Sequence, residues 1–121
     1  MIPSIGSKQG KVWGTTQLVF SHNDIEAHEI VVEAGGYCSR HYHKNKWNRF
    51  YVCSGSLIVR MFQENQVDET VVEEGETTDV PPGVLHEFEA REAAIAFEFY
   101  WTELDPNDIE RENVGGMKSD S

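Results

Sequence analysis

Residues 35–55, GGYCSRHYHKNKWNRFYVCSG, set His41 and His43 one residue apart in a segment that reads as strand, turn, strand. Side chains two apart on a strand point to the same face at roughly 6–7 Å, so both imidazoles can reach one ion. Taken alone, His-x-His at a hairpin mouth equally describes a pair of exposed polar residues. A second stretch, residues 75–90, GETTDVPPGVLHEFEA, supplies a third histidine, His86, after a Pro-Pro-Gly turn. Two strand-borne histidines and one from a remote turn fit a three-ligand metal site that keeps a position open for water or substrate.

Working outward, the rest of the chain is punctuated into short runs by Gly, Pro, Asn and Asp. Strands are expected near residues 17–20, 25–33, 37–43, 48–53, 56–63, 67–73, 76–80, 85–90 and 93–102. With no helical period anywhere, the pattern indicates an all-β sandwich or barrel. If residues 37–43 form a regular strand, Tyr37 and Ser39 share a face with His41 and His43 and line the same cavity. A tyrosine buried against a backbone group is the competing reading of Tyr37. Arg60 reads either as an anion clamp pointing inward or as a solvated charge outside. The run AAIAFEFYWT, residues 93–102, carries one stripe of Ile95, Phe97, Phe99 and Trp101 and another of Ala94, Ala96, Glu98 and Tyr100. Glu98 is the only acid in that run, which makes it a candidate catalytic base or substitute ligand, or an acid on the outer sheet face.

One domain is all that 121 residues hold. Residues 1–10 read as a lead-in, 11–102 as the domain and 103–121 as a polar tail. Ten basic against 21 acidic side chains give a formal charge of −11, which disfavours nucleic acid and anionic membrane as partners, since both call for basic patches. No apolar run approaches the length of a membrane span. The first ten residues, MIPSIGSKQG, lack a basic head followed by an apolar stretch, so a cytoplasmic location is expected. Cys38 and Cys53 are expected as small residues packed in or near the β core.

Both histidine stretches resemble the cupin family. Its first motif is matched at Gly35, His41, His43 and Gly55, with Asn48 where glutamate is expected. Its second is matched at Gly75, Pro81, Gly83 and His86, with Ala90 in place of asparagine. Eight of ten positions agree with spacing intact. The resemblance sharpens the fold to a small jelly roll. It implies a divalent metal ion (zinc, manganese, nickel or iron) on His41, His43 and His86, with Asn48 as a neutral fourth donor. Three outcomes stay open for the site: a three-histidine centre, a weaker centre that includes Asn48, or a vestigial site that binds ligand without metal. Lys-x-Trp-Gly at residues 11–14 and the segment 108–114 are similar to the cupin domain of bacterial phosphomannose isomerases. That likeness makes a sugar or sugar phosphate the leading ligand and isomerase-like Lewis-acid chemistry the leading reaction. A three-histidine iron dioxygenase and a non-catalytic small-molecule-binding cupin are the alternatives. The resemblance further implies a homodimer, with edges at residues 11–20 or 24–33 covered by the second copy.

Overall fold

The computed structural model describes residues 8–102, 107–108 and 110–118. Nine strands follow one another: β1 (Lys8–Lys11), β2 (Gly14–His22), β3 (Ile25–Val32), β4 (Trp47–Ser54), β5 (Ser56–Gln63), β6 (Gln66–Glu73), β7 (Thr77–Val80), β8 (Leu85–Glu89) and β9 (Ala94–Trp101). A six-stranded sheet ordered β1-β2-β3-β9-β4-β7 packs on a three-stranded sheet ordered β6-β5-β8, every pairing antiparallel. This is an all-β jelly roll. Among the described residues there is no helix, hence none long and apolar enough to cross a membrane.

Alternation builds the core. In β4, Asn48, Phe50 and Val52 are buried while Arg49 and Tyr51 are exposed. Leu57, Val59, Val72 and Phe88 meet Ile30, Val32, Phe50, Val52, Ala94 and Ala96 in one buried cluster, closed at one side by Trp13. Trp13 and Phe50 each set a ring edge-on to Phe88, with centroids 5.0 and 5.9 Å away, a favoured aromatic geometry.

Turn chemistry sets the hairpins. Glu64 and Asn65 take φ of 43° and 65° in the two-residue β5–β6 turn, both left-handed as a strand-matching turn requires. Val12 and Trp13 close the β1–β2 hairpin, in which Lys11 faces Gly14. Gly14 has φ +150°, and a Cβ there would lie 1.8 Å from the Val31 carbonyl oxygen, so only glycine fits.

Three expectations are corrected. Residues 8–10, read as lead-in, form most of β1. β2 and β3 are interior strands, flanked by β1 and β9, so neither is an edge awaiting a partner copy. Residues 37–43 are not a regular strand; their pairing with β8 consists of isolated bridges, Tyr37 to Glu89 and His41 to His86. Of the expected polar tail, residues 103–106, 109 and 119–121 lie outside the described set, as do residues 1–7 of the lead-in.

Candidate metal centre

The irregularity in residues 37–43 builds the site. Tyr37 opposes Glu89, and Cys38 N–H donates to Phe88 O at 3.1 Å. An uninterrupted ladder would then set Arg40 against His86. Instead His41 does so, exchanging N–H···O bonds of 3.0 and 2.8 Å with His86. One extra residue between Cys38 and His41 is a bulge, and a one-residue slip turns every later side chain to the other face. Cys38 is therefore inward before the bulge and His41 inward after it. Further along, His43 O accepts the Gly83 N–H at 2.7 Å, which ties the histidine loop to the Pro-Pro-Gly turn.

Three rings converge as a result. Centroids lie 4.6 Å apart for His41–His86, 5.0 Å for His41–His43 and 5.5 Å for His43–His86, and one nitrogen from each lies within 4.8 Å of the others. Carbonyls fix two tautomers: His41 Nδ1–H donates to Ser39 O at 2.7 Å and His86 Nδ1–H to Val84 O at 2.9 Å. That leaves both Nε2 lone pairs free, the arrangement in which a metal-ligating histidine is oriented by its other nitrogen. Burial pushes the His86 imidazole below its ordinary pKa. It also takes His43 down to about 4, helped by nearby positive charge at His41, Lys46 and His86. Both are thus neutral near pH 7, as ligands must be.

His43 Nε2, His86 Nε2 and Asn48 Oδ1 are buried without a hydrogen-bond partner among the described residues. Each such orphan costs about 1–3 kcal/mol, and a cation between the three rings would take the lone pairs of His43 and His86. The residues present fit a divalent ion. Asn48 is 1% exposed, and its Nδ2 donates to Phe99 O at 3.4 Å.

Beside the histidines opens a cavity of about 620 Å³, lined among others by Ser39, His41, Glu98 and Tyr100, with Trp13, Phe50 and Phe88 as apolar wall. Glu98 faces inward between His28 and Phe50 of the neighbouring strands. Tyr100 O–H donates to Glu98 Oε2. Burial raises the Glu98 carboxyl, and the Tyr100 bond pulls the other way. The Tyr100 phenol is pushed well up by burial and by Glu98. Its ring meets His43 edge-on at 5.0 Å and carries the Lys46 ammonium 4.5 Å from its centroid. Tyr100 was not singled out from sequence, although its place two residues after Glu98 put it on the same strand face.

The remaining site expectations divide. Ser39 lines the cavity, but Tyr37 does not: paired with Glu89 on the outer side of the bulge, it is 64% exposed. Arg60 is outside as well. It opposes Glu87 while Met61 opposes His86, and it is held by Glu69 and Glu89 at 2.8 Å each and by Glu87 at 3.6 Å. Three carboxylates occupy its donors, so it is no anion clamp. Cys38 is buried and accepts the Phe88 N–H at 3.2 Å, with its thiol pushed up to about 12 by burial. Cys53 is exposed; it is the extra residue of a bulge between Val52 and Ser54, not part of the core.

A jelly roll whose inner face gathers three histidines beside a cavity defines a class, and comparison with known proteins agrees. The chain belongs to the cupin family, whose model matches residues 3–117. No curated protein sequence matches it. Among solved structures, the capsular polysaccharide assembling protein CapF from Staphylococcus aureus superposes with a TM-score of 0.72 at 21% identity, covering 84% of this chain and 30% of CapF. KdgF from Halomonas sp. does so at 0.70 and 17%, covering 81% of this chain and 89% of KdgF. Bacillus subtilis oxalate decarboxylase gives 0.71 and 19%, covering 79% of this chain and 27% of the enzyme. The chain thus spans less than a third of CapF and of the decarboxylase, and these likenesses speak to the fold.

Proposed function

We propose that His41, His43 and His86 hold a divalent metal ion, with Asn48 as a neutral oxygen donor, and that the cavity beside them takes a small polar ligand of the sugar or sugar phosphate class. The observation that carries this reading is the convergence of one nitrogen each from His41, His43 and His86 within 4.8 Å of one another, with His43 Nε2 and His86 Nε2 buried and unpartnered. Two fold relatives support it by what their own descriptions say: the decarboxylase has Mn(II) centres, and CapF assembles a capsular polysaccharide.

A divalent ion, when bound, supplies Lewis acidity toward ligand oxygens. The chain supplies the rest of an isomerase-like proton transfer. Glu98 holds and releases the proton, its carboxyl poised upward by burial, which moves a carboxylic acid toward working pH. Tyr100 fixes Glu98 Oε2 by donating to it, so that Oε1 is the oxygen left to meet the ligand. Trp13, Phe50 and Phe88 exclude water from the apolar wall.

The test is elemental analysis of protein purified without a metal-binding tag, beside His41→Ala and His86→Ala. About one equivalent of metal per chain in the parent, lost in both variants, is the expected result. No metal after supplementation, or full retention in His86→Ala, overturns the centre and leaves a ligand-binding cupin. Bound iron with substrate-dependent oxygen uptake would replace the isomerase reading by a dioxygenase.

We further propose a homodimer. Its support is the outer face of β9, where Ile95, Phe97, Phe99 and Trp101 turn away from the core. Trp101 stacks on Trp47 at 6.1 Å, and Tyr51 adds a 38% exposed ring on the same face.

A further inference from the structure

The cavity does not end at the histidines. It runs across the six-stranded sheet to the edge hairpin, where Gln9, Lys11 and Thr16 line it. Gln9 and Lys11 are two apart on β1 and so share a face, with Thr16 directly opposite Gln9. From Glu98 on β9 to Lys11 on β1 is three strand steps, by way of β3 and β2. At about 4.8 Å a step that is roughly 14 Å across the sheet; along the strands the pairings Glu98–His28–Leu18 and Lys11–Gly14 differ by four residues, roughly 13 Å more, for a separation of about 19 Å, part of which the lysine's flexible four-carbon stem spans. Trp13, Leu18, Phe50 and Phe88 form the cavity's apolar lining. A volume of about 620 Å³ suits a ligand of several functional groups better than a two-carbon acid.

Charge marks the far end. Lys11 is the only Lys or Arg among the described residues that line the cavity, in a chain of formal charge −11. No ion pair to Lys11 is found among the described residues. Three other cations of the fold are already engaged. Arg60 is consumed by glutamates, and Arg40 lies over the Phe62 ring at 3.8 Å, within 3.9 Å of Glu87. Lys46 sits on the Tyr100 ring.

We infer that the β1–β2 hairpin is a second subsite, in which Lys11, with Gln9 and Thr16, takes the terminal phosphate or carboxylate of an elongated polyhydroxy ligand. The inference rests on the proposed metal reading for the other end of that ligand, and it names the ligand's class: oxygen-rich at the histidines, anionic at β1. The shared chemistry is a terminal oxyanion, and a charge-assisted contact to an ammonium meets either form.

Three probes share one hydroxy-acid head and differ at the far end: gluconate, 6-phosphogluconate and glucarate. Calorimetric titration of Mn(II)-loaded and metal-free protein is to be done on the parent, Lys11→Met and Lys11→Arg, with metal content measured in each sample. In the parent, 6-phosphogluconate or glucarate binds at least about tenfold more tightly than gluconate, and the tighter of the two tells phosphate from carboxylate. Lys11→Met brings that ratio to about one while leaving gluconate affinity and metal content unchanged, and Lys11→Arg keeps most of it. A ratio near one in the parent, a ratio that survives Lys11→Met, or no binding of either doubly charged probe overturns the subsite. Selectivity that is lost in Lys11→Met from a chain holding no metal keeps the subsite and sinks the metal reading. One equivalent of metal with a ratio of one does the reverse.

Discussion

Asn48 is the residue on which the strength of the proposed centre turns. It occupies the place where the cupin motif carries glutamate. It is 1% exposed, inward on β4, with Oδ1 unpartnered. A neutral amide donates a lone pair but no charge, and it holds a hard divalent ion less firmly than a carboxylate does. Asn48→Glu should therefore tighten Mn(II) binding by about tenfold or more, read by competition with a chelator of known affinity. Unchanged affinity would put residue 48 outside the ligand set. The three histidines and Asn48 were legible in sequence because their spacing is local and motif-like. The bond from Tyr100 to Glu98 was not, because a strand pattern shows that two side chains share a face without showing what closes over it.

Among the elements, the bulge between Cys38 and His41 and the β1–β2 hairpin do the positioning. A regular strand, the expectation for residues 37–43, would have sent Tyr37 and His41 to one side. The extra residue separates them, so Tyr37 is outside and His41 inside. Nothing in SRHYH announces a bulge, since no glycine or proline falls between residues 38 and 41. The hairpin was missed too, because residues 8–10 read as lead-in, and in the structure it turns into β2 at Gly14. Gly14→Ala forces a Cβ against Val31 O, 1.8 Å away, at a φ of +150°. We expect it to lower unfolding stability by about 2 kcal/mol or more, read from urea midpoints at constant m. A change under about 0.5 kcal/mol would mean that the hairpin is not anchored to β3 through this turn.

For the whole molecule the asymmetry of the sandwich matters most. The larger sheet has six strands against three, its inner face lines the cavity as far as β1, and its outer face at β9 carries half-buried aromatic rings. Light scattering should give a particle of twice the 13.8 kDa chain mass, and Phe97→Lys, on that outer face, should reduce it to the single chain. A monomeric parent at tens of micromolar concentration sinks the dimer. The sequence by itself determined the class of fold, the turns and the metal-seeking residues, because alternation, turn chemistry and motif spacing act over a few residues at a time. Which face of each strand is inside was decided only by the tertiary structure. On β9 the more apolar stripe, Ile95, Phe97, Phe99 and Trp101, is outside, while Ala94, Ala96, Glu98 and Tyr100 are inside. Hydrophobic burial has no direction of its own. Close packing against the opposing sheet admits the small alanines at one end of β9 and sets Glu98 over the cavity at the other. Through the same geometry, residues 41 and 86 meet as direct partners.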